Sequence, residues 1–155
     1  MPDHAGKQAL DRIVTDVTGL VTTGANVFLS RLYPVEEAAL PALLVYADNM
    51  EAIRDLDAMQ GDGNRGVIFG LSATVEALVK EVTAGTAETT AWTILSEVQT
   101  ALEGDNDLNS LAKDIKLESV EWERHGEGDK AVLSMKMDWT VIFRIKETAP
   151  TAVLN

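Results

Sequence analysis

The segment at residues 130–146 limits the folds open to this chain more than any other. Every second residue along it is apolar, and the residues between them are mostly polar. Because side chains alternate between the two faces of a sheet, this pattern predicts one long strand with a buried face and a wetter face. It is longer than the ~5–6 residues of a typical strand, so it is expected to bend or to cross a full sheet. The apolar positions are Ala131, Leu133, Met135, Met137, Trp139, Val141, Phe143 and Ile145.

Two segments have the period of a helix instead. Gly6–Leu20 places its leucine, isoleucine and valine residues on one face, and Asp3 is its expected N-cap. Thr86–Glu103 has a similar apolar face that includes Trp92. A threonine near the start is expected to cap this segment, and Gly104 is expected to end it. Both segments are therefore predicted to be amphipathic helices.

Four further segments are predicted to be strands: Asn26–Tyr33, Leu43–Tyr46, Arg65–Lys80 and Lys113–His125. The first two are expected to be antiparallel, because the loop between them is too short for a crossover helix. In the fourth, the apolar residues change parity near Ser119, which predicts a β-bulge. A glycine-rich turn joins the fourth strand to the long strand, so these two are expected to form an antiparallel hairpin.

The predicted element order is α-β-β-β-α-β-β. It defines an α+β fold, a two-layer sandwich in which two helices cover one face of a largely antiparallel sheet. Residues 1–147 are expected to form this single domain, and residues 148–155 a loosely ordered tail. Asp48–Asn64 lacks a clean period and is predicted to be a long solvated loop, mobile in the monomer and available to a partner.

The charge of the chain narrows the classes of partner. A formal net charge of −12 and a pI near 4.4 argue against a simple nucleic-acid binder and against adhesion to an anionic membrane. The absence of cysteine from the sequence excludes disulfides and thiolate sites. No apolar run of about 18 residues and no secretory signal are visible, so we expect a protein of the cytoplasm.

Few residues suggest chemistry. His4 and His125 are far apart in the sequence and are not expected to form a metal site. The acidic run at 105–107 lacks the glycine and glutamate of an EF-hand, which leaves a solvated turn or a weak surface cation site. The three tryptophans are expected to pack in the core, with stacking on a ligand as the alternative. We therefore expect no catalytic residue, no cofactor and no metal, and a protein that is not an enzyme.

The segment Asn26–Ala52 carries a series of short motifs. In order, they are Arg31-Leu32-Tyr33-Pro34, Glu36-Glu37, Leu40-Pro41-Ala42 and Val45-Tyr46. This series resembles the tail terminator family of long-tailed bacteriophages, the lambda-type minor tail or tail-completion proteins. The predicted order of elements after it, with a second helix and a closing hairpin, is similar to that of the same family.

The resemblance implies a structural virion protein. It implies a ring, expected to be a homohexamer, that caps the head-proximal end of the tail tube, stops its polymerisation and provides the surface for head joining. The implied partners are other copies of the chain, the tail tube protein and a head-completion or connector protein. DNA would pass through the lumen without specific binding, and no membrane is involved. The implied location is the tail of the virion, with assembly in the host cytoplasm.

A ring needs contact surfaces that close head to tail. We expect them in the acidic connector and beside the apolar residues of Asp48–Asn64. The candidate interface residues are Glu36, Glu37, Met50, Ile53, Met59 and Arg65. One alternative is another head–tail connector, a neck component or a tail tube subunit. The other is a small cytoplasmic enzyme or ligand-binding module, which a deep pocket with converging polar groups would favour.

Overall fold

The computed structural model describes residues 3–29, 39–53, 58–59, 65–80, 85–126, 131–146 and 148–154. Within these residues the chain forms two helices and one seven-stranded sheet. The helices are α1 (Ala5–Val17) and α2 (Thr86–Glu103). The strands are β1 (Val27–Leu29), β2 (Ala42–Ala52), β3 (Ala58–Met59), β4 (Arg65–Lys80), β5 (Asp114–His125), β6 (Val132–Lys146) and β7 (Ala149–Val153).

The sheet is built on the pairing of its two longest strands. β4 and β6 run antiparallel from Gly66 opposite Lys146 to Lys80 opposite Val132. β2 lies on the other side of β4 and β5 on the other side of β6, which gives the strand order β1-β2-β4-β6-β5. The short strand β3 pairs with the start of β4, and β7 pairs with the end of β6, so both lie at the same end of the sheet. The α+β fold, its element order and the β5–β6 hairpin are confirmed.

The alternation along β6 produces the core. The apolar positions from Leu133 to Ile145 are buried, and Trp139 among them is 1% exposed. They join one apolar cluster with residues of both helices, such as Ile13 of α1 and Ile94 of α2. Both helices therefore cover the same face of the sheet, as predicted.

The first turn of α1 lies close to the sheet. His4 caps this helix, since its Nδ1 accepts a hydrogen bond from the Gly6 backbone N–H at 3.0 Å. The His4 ring also contacts Phe143 edge-on, with ring centroids 6.3 Å apart. The prediction of Asp3 as the cap is therefore wrong, because the imidazole makes both the cap bond and a contact to the core.

α2 has the predicted bounds and ends at Gly104, but its start differs from the prediction. Gly85 is the N-cap residue, in the left-handed conformation with φ of +84°, and no side chain caps the helix. A glycine reaches this conformation without the penalty that a β-carbon brings. None of the predicted threonines is needed to turn the chain into the helix.

Two predictions about the first strands are wrong. β1 and β2 pair in parallel, with Val27 opposite Leu43, and not antiparallel. Residues 30–33 of the predicted first strand lie outside the described residues. Twelve residues separate Leu29 of β1 from Ala42 of β2, the length that a parallel crossover needs.

β2 also extends to Ala52, into the predicted loop Asp48–Asn64, and β3 lies in the same range. Most side chains in the extension of β2 are exposed, which explains why the sequence there lacks a period. Residues 54–57 and 60–64 of the predicted loop lie outside the described residues, so its mobility stays a prediction.

The tail is also more ordered than predicted. Ala149–Val153 forms β7, which pairs with β6, and the Leu154 backbone N–H donates to the Arg144 carbonyl at 2.7 Å. A five-residue strand with no strong alternation is held by backbone hydrogen bonds, which the sequence pattern does not reveal. The bulge predicted near Ser119 is confirmed, since the register of β5 shifts between Leu117 and Ser119.

We expect Trp139→Ala to lower the free energy of unfolding by about 3–5 kcal/mol, because it leaves a large cavity in the centre of the core. The measurement is the midpoint of chemical denaturation. Trp92→Ala is the matched control, since this tryptophan is half exposed and its loss should cost much less. Equal shifts of the midpoint in the two variants would contradict the burial of Trp139.

Candidate functional site

Four of the six predicted interface residues have no described side chain. Glu36 and Glu37 lie outside the described residues. Met59 and Arg65 are opposite each other where β3 pairs with β4, but their side chains are also outside the description. Their roles stay predictions.

Met50 and Ile53 lie on opposite faces of the sheet. Met50 is opposite Leu71, on the face that the helices cover, and it is 40% exposed. Its Sδ lies close to Gly6 of α1, 3.5 Å from the position that a β-carbon on this glycine would occupy. Ile53 packs over Gly70 on the opposite face of the sheet. Its Cδ1 is 3.5 Å from the position that a β-carbon on Gly70 would occupy. The two residues therefore do not form one contact surface.

The face of the sheet opposite the helices is called the open face below. It is formed by the residues of the other parity, among them Tyr46, Thr74, Glu76, Ser119, Ser134 and Asp138. Its residues form hydrogen-bonded networks that join neighbouring strands. The open face is therefore polar where the opposite face is apolar.

Glu76 is the centre of the first network on the open face. Its Oε1 accepts a hydrogen bond from the Tyr46 hydroxyl at 2.8 Å, and its Oε2 accepts one from the Ser134 hydroxyl at 2.9 Å. Burial, and then the hydrogen bond to Glu76, raises the pKa of Tyr46 above its ordinary value. The phenol therefore stays protonated and continues to donate, which ties β2, β4 and β6 together.

Asp138 is the centre of the second network. Its Oδ1 is 2.9 Å from the Thr74 hydroxyl, and its Oδ2 accepts from the Ser119 hydroxyl at 3.0 Å. The Thr74 hydroxyl also contacts Asp48, the extra residue of the bulge in β2. A hydroxyl group has one proton, so Thr74 donates to only one of these two carboxylates at a time. It therefore lies between two acceptors, Asp48 and Asp138. The bulges of β2 and β5 thus both lie next to this network.

An aromatic patch lies where α2 meets β5. It consists of Glu88, Trp92, Trp122, Arg124 and Leu133, which line a cavity of about 270 Å³. Trp92 and Trp122 are 51% and 39% exposed, and their ring centroids are 5.1 Å apart with the planes tilted by 40°. Arg124 Nη2 is 3.7 Å from Glu88 Oε2 at the border of the patch. Large exposed aromatic side chains that adjoin each other indicate an interaction surface.

The prediction that all three tryptophans pack in the core is wrong for Trp92 and Trp122. Trp92 follows the buried Ala91 and lies at the border of the apolar face of α2, where the helical period does not separate buried from exposed. Trp122 lies on β5, which is the last strand of the sheet order. The strand order is a long-range property, and the adjacent Glu121 and Glu123 give no signal for Trp122, because neighbouring side chains on a strand point to opposite faces.

A carboxyl cluster joins α1 to the turn after α2. Arg12 Nε is 2.8 Å from Asp105 Oδ2 and 3.3 Å from Asp16 Oδ1. Burial, and then the hydrogen bond and charge of Asp105, raises the pKa of Asp16 to about 7. The hydrogen bond from Asp16 lowers the pKa of Asp105. Below about pH 7, protonated Asp16 therefore donates to ionised Asp105, and Arg12 balances the remaining charge.

The histidines and the acidic run 105–107 were considered above as possible metal ligands. Within the described part of the chain, no group of three or more histidine, aspartate or glutamate side chains is arranged to hold a metal ion. Asp105 accepts from Arg12 and from the Asn109 backbone N–H at 3.0 Å, so its oxygens serve the fold. His125 ends β5, 3.5 Å from Glu123.

A wider cavity, of about 420 Å³, lies between α2 and the turn that follows α1. Its walls are mostly apolar, and it is lined by Gly19, Leu20, Val21, Ser96, Glu97, Thr100 and Ala101. Glu97 holds the turn in place, since its Oε1 accepts from the Thr22 backbone N–H at 3.1 Å. The cavity is an open groove beside one carboxylate, unlike a deep pocket with converging polar groups.

No protein-family model and no curated protein sequence matches the chain. Among solved structures, the chain is similar to a chain of the structure titled "Virion of native gene transfer agent (GTA) particle". The TM-score is 0.46 at 14% sequence identity, and the match covers 91% of each chain. A likeness at this level identifies neither a family nor a function.

The helices give no sign of a membrane span. Neither α1 nor α2, the helices of the described residues, combines the length and the apolar character needed to cross a bilayer.

The carboxyl cluster predicts a pH dependence of stability. The pKa of Asp16 is about 7 in the fold, above its ordinary value of 3.8, so the folded state holds an extra proton between these values. Its contribution to stability is complete below about pH 4 and is lost as the pH rises to 7. We expect Asp16→Asn to remove this loss and to stabilise the protein at pH 8 by about 1–2 kcal/mol.

The measurement is urea denaturation of both proteins at pH values from 4 to 8. Asp11→Asn is the matched control, because Asp11 lies on the same helix but forms an exposed ion pair with Lys7. An Asp16→Asn variant with the pH dependence of the original protein would contradict the shared proton.

Proposed function

We propose that the chain is a structural protein of a virion, and that within the virion it is the tail terminator of a long-tailed bacteriophage. Six copies form a ring that caps the head-proximal end of the tail tube, stops its polymerisation and offers a surface for head joining. The ring assembles in the host cytoplasm and acts through its contacts, without catalysis. DNA passes through its lumen without specific binding.

One observation carries the proposal: the motif series and the element order agree. The described part of the series, Leu40-Pro41-Ala42 and Val45-Tyr46, leads into β2 and continues along it. A second helix, α2, and the closing hairpin of β5 and β6 follow, as the resemblance implies. Sequence and fold thus support the same family.

The shape of the sheet supports assembly into a ring. A ring forms when one surface of each copy meets a different surface of the next copy. The described sheet offers unlike surfaces for this, a short edge at β1 and an open face on which neither helix packs. The net charge of −12 supports passage of DNA, because a negative ring does not hold a polyanion.

The test is tube growth in vitro. We expect the chain, added to polymerising tail tube protein encoded beside it, to shorten the tubes and to label one end while the wall stays bare. Electron micrographs give tube lengths and the position of the label. Tubes of equal length with and without the chain, and no labelled ends, would contradict the proposal.

Charge reversal separates a specific contact from general electrostatics. We expect Glu36→Lys combined with Glu37→Lys to abolish capping without unfolding the chain, because both residues lie in the motif series. Glu103→Lys combined with Asp107→Lys is the control of equal charge change, since both residues are exposed near the end of α2. Loss of capping in the control alone would place the contact elsewhere.

The same experiment distinguishes the alternatives within the virion. Incorporation along the tube wall would indicate a tube subunit. Binding to the head-side connector with no binding to tube ends would indicate a neck component. Either result would retain a structural virion protein and reject the terminator.

A further inference from the structure

We propose that the β5 edge beside the aromatic patch binds an extended segment of a partner protein, in which lysine or arginine alternates with large apolar residues. The segment adds to the sheet as a further strand. Its apolar side chains contact Trp92 and Trp122, and its basic side chains contact the glutamates of β5. This contact does not require the chain to form a ring.

The backbone of β5 supplies the first part of the site. β5 is the last strand in the sheet order, and within the described residues it pairs with β6 alone. The bulge at Leu117–Ser119 interrupts it, and Ser119–His125 continues in regular register with β6. A strand in regular register directs alternate N–H and C=O groups outward, where an added strand can pair with them. The site is therefore about seven residues long.

The side chains of Ser119–His125 determine which residue types an added strand needs on each of its two faces. Towards the helices, Trp122 lies beside Trp92 over the 270 Å³ cavity, where an apolar side chain can pack against both rings. Towards the open face, Glu121 and Glu123 are exposed and lie on one side of the strand. A partner strand therefore needs apolar residues on one side and basic residues on the other.

The charge balance favours a basic partner. Glu118, Glu121 and Glu123 lie along β5, and Glu88 lies at the border of the patch. Among the described residues beside these carboxylates, Arg124 is next to Glu88 and Lys136 lies opposite Glu121 on β6, while Lys116 at the start of β5 is 3.7 Å from Asp114. The site is thus left with an excess of negative charge that a basic strand neutralises.

The same charges argue against a second copy of this edge as the occupant. Two copies of β5 paired with each other would bring their glutamates together on one face. Like charges directly opposite each other on paired strands are destabilising. The aromatic patch alone would permit such a dimer, but the acidic side of the same strand disfavours it.

The experiment uses the full chain and the synthetic peptide KLKLKLK, whose length matches Ser119–His125. We expect saturable binding by tryptophan fluorescence, with amide shifts in the NMR spectrum concentrated in β5 and the start of α2. A peptide of the same composition with its lysines grouped together should bind at least about tenfold more weakly, since it does not separate the two kinds of side chain. Methylation of the alternate peptide nitrogens that face β5 should abolish binding, because it removes the donors.

Variants of the chain test the two sides of the site separately. Glu121→Lys combined with Glu123→Lys should lower the affinity at least about tenfold, and Trp92→Ser about threefold or more. Glu51→Lys combined with Glu103→Lys, an equal change of charge on exposed residues outside the patch, should stay within about twofold. Circular dichroism checks that each variant is folded.

Three results would overturn the proposal. The first is equal weakening in the two double variants, which would indicate general attraction between opposite charges. The second is undiminished binding of the methylated peptide, which would exclude addition of a strand. The third is the absence of binding at millimolar peptide, or amide shifts that lie away from β5.

Discussion

The packing of one apolar sheet face against two helices is the interaction on which the rest of the structure depends. β4 and β6 form its centre, and the buried side chains of β6 reach from Leu133 to Ile145 with Trp139 among them. Fully burying a large apolar side chain contributes about 1.5–3 kcal/mol before conformational entropy is subtracted. Because α1, α2, β2 and β5 all pack on this pair or beside it, their positions follow from it. Within the described residues, neither helix packs on the open face, and β5 is the last strand of the sheet order.

The parts of the fold that the sequence predicts correctly are those with a long local period. The two-residue period of β6 and the helical period of α2 each persist over many residues, so their type and bounds are clear without knowledge of the partners. The parallel pairing of β1 with β2 is different, because it depends on the path of a connection and not on either strand. The extension of β2 and the strand β7 are held through backbone pairing, and side-chain patterns carry little information about that.

The candidate sites show the same division between local and long-range information. The strand order, which the sequence does not show, makes β5 an edge strand. The fold then brings the ring centroids of Trp92 and Trp122 to 5.1 Å from each other. The acidic run at 105–107 is visible in the sequence, whereas its link to Arg12 and Asp16 crosses about 90 residues of chain. The interface predicted from Met50 and Ile53 shows the converse, since residues close in sequence lie on opposite faces.

The chain is proposed to act through surface contacts carried by its α+β core, with copies of the chain closed into a ring. Light scattering after size exclusion, with negative-stain images of the same fractions, tests this claim most directly. The claim predicts one species of six times the 16.7 kDa chain mass, seen as rings with an open centre. A single 16.7 kDa species at the highest soluble concentration, with no rings in the images, would contradict it.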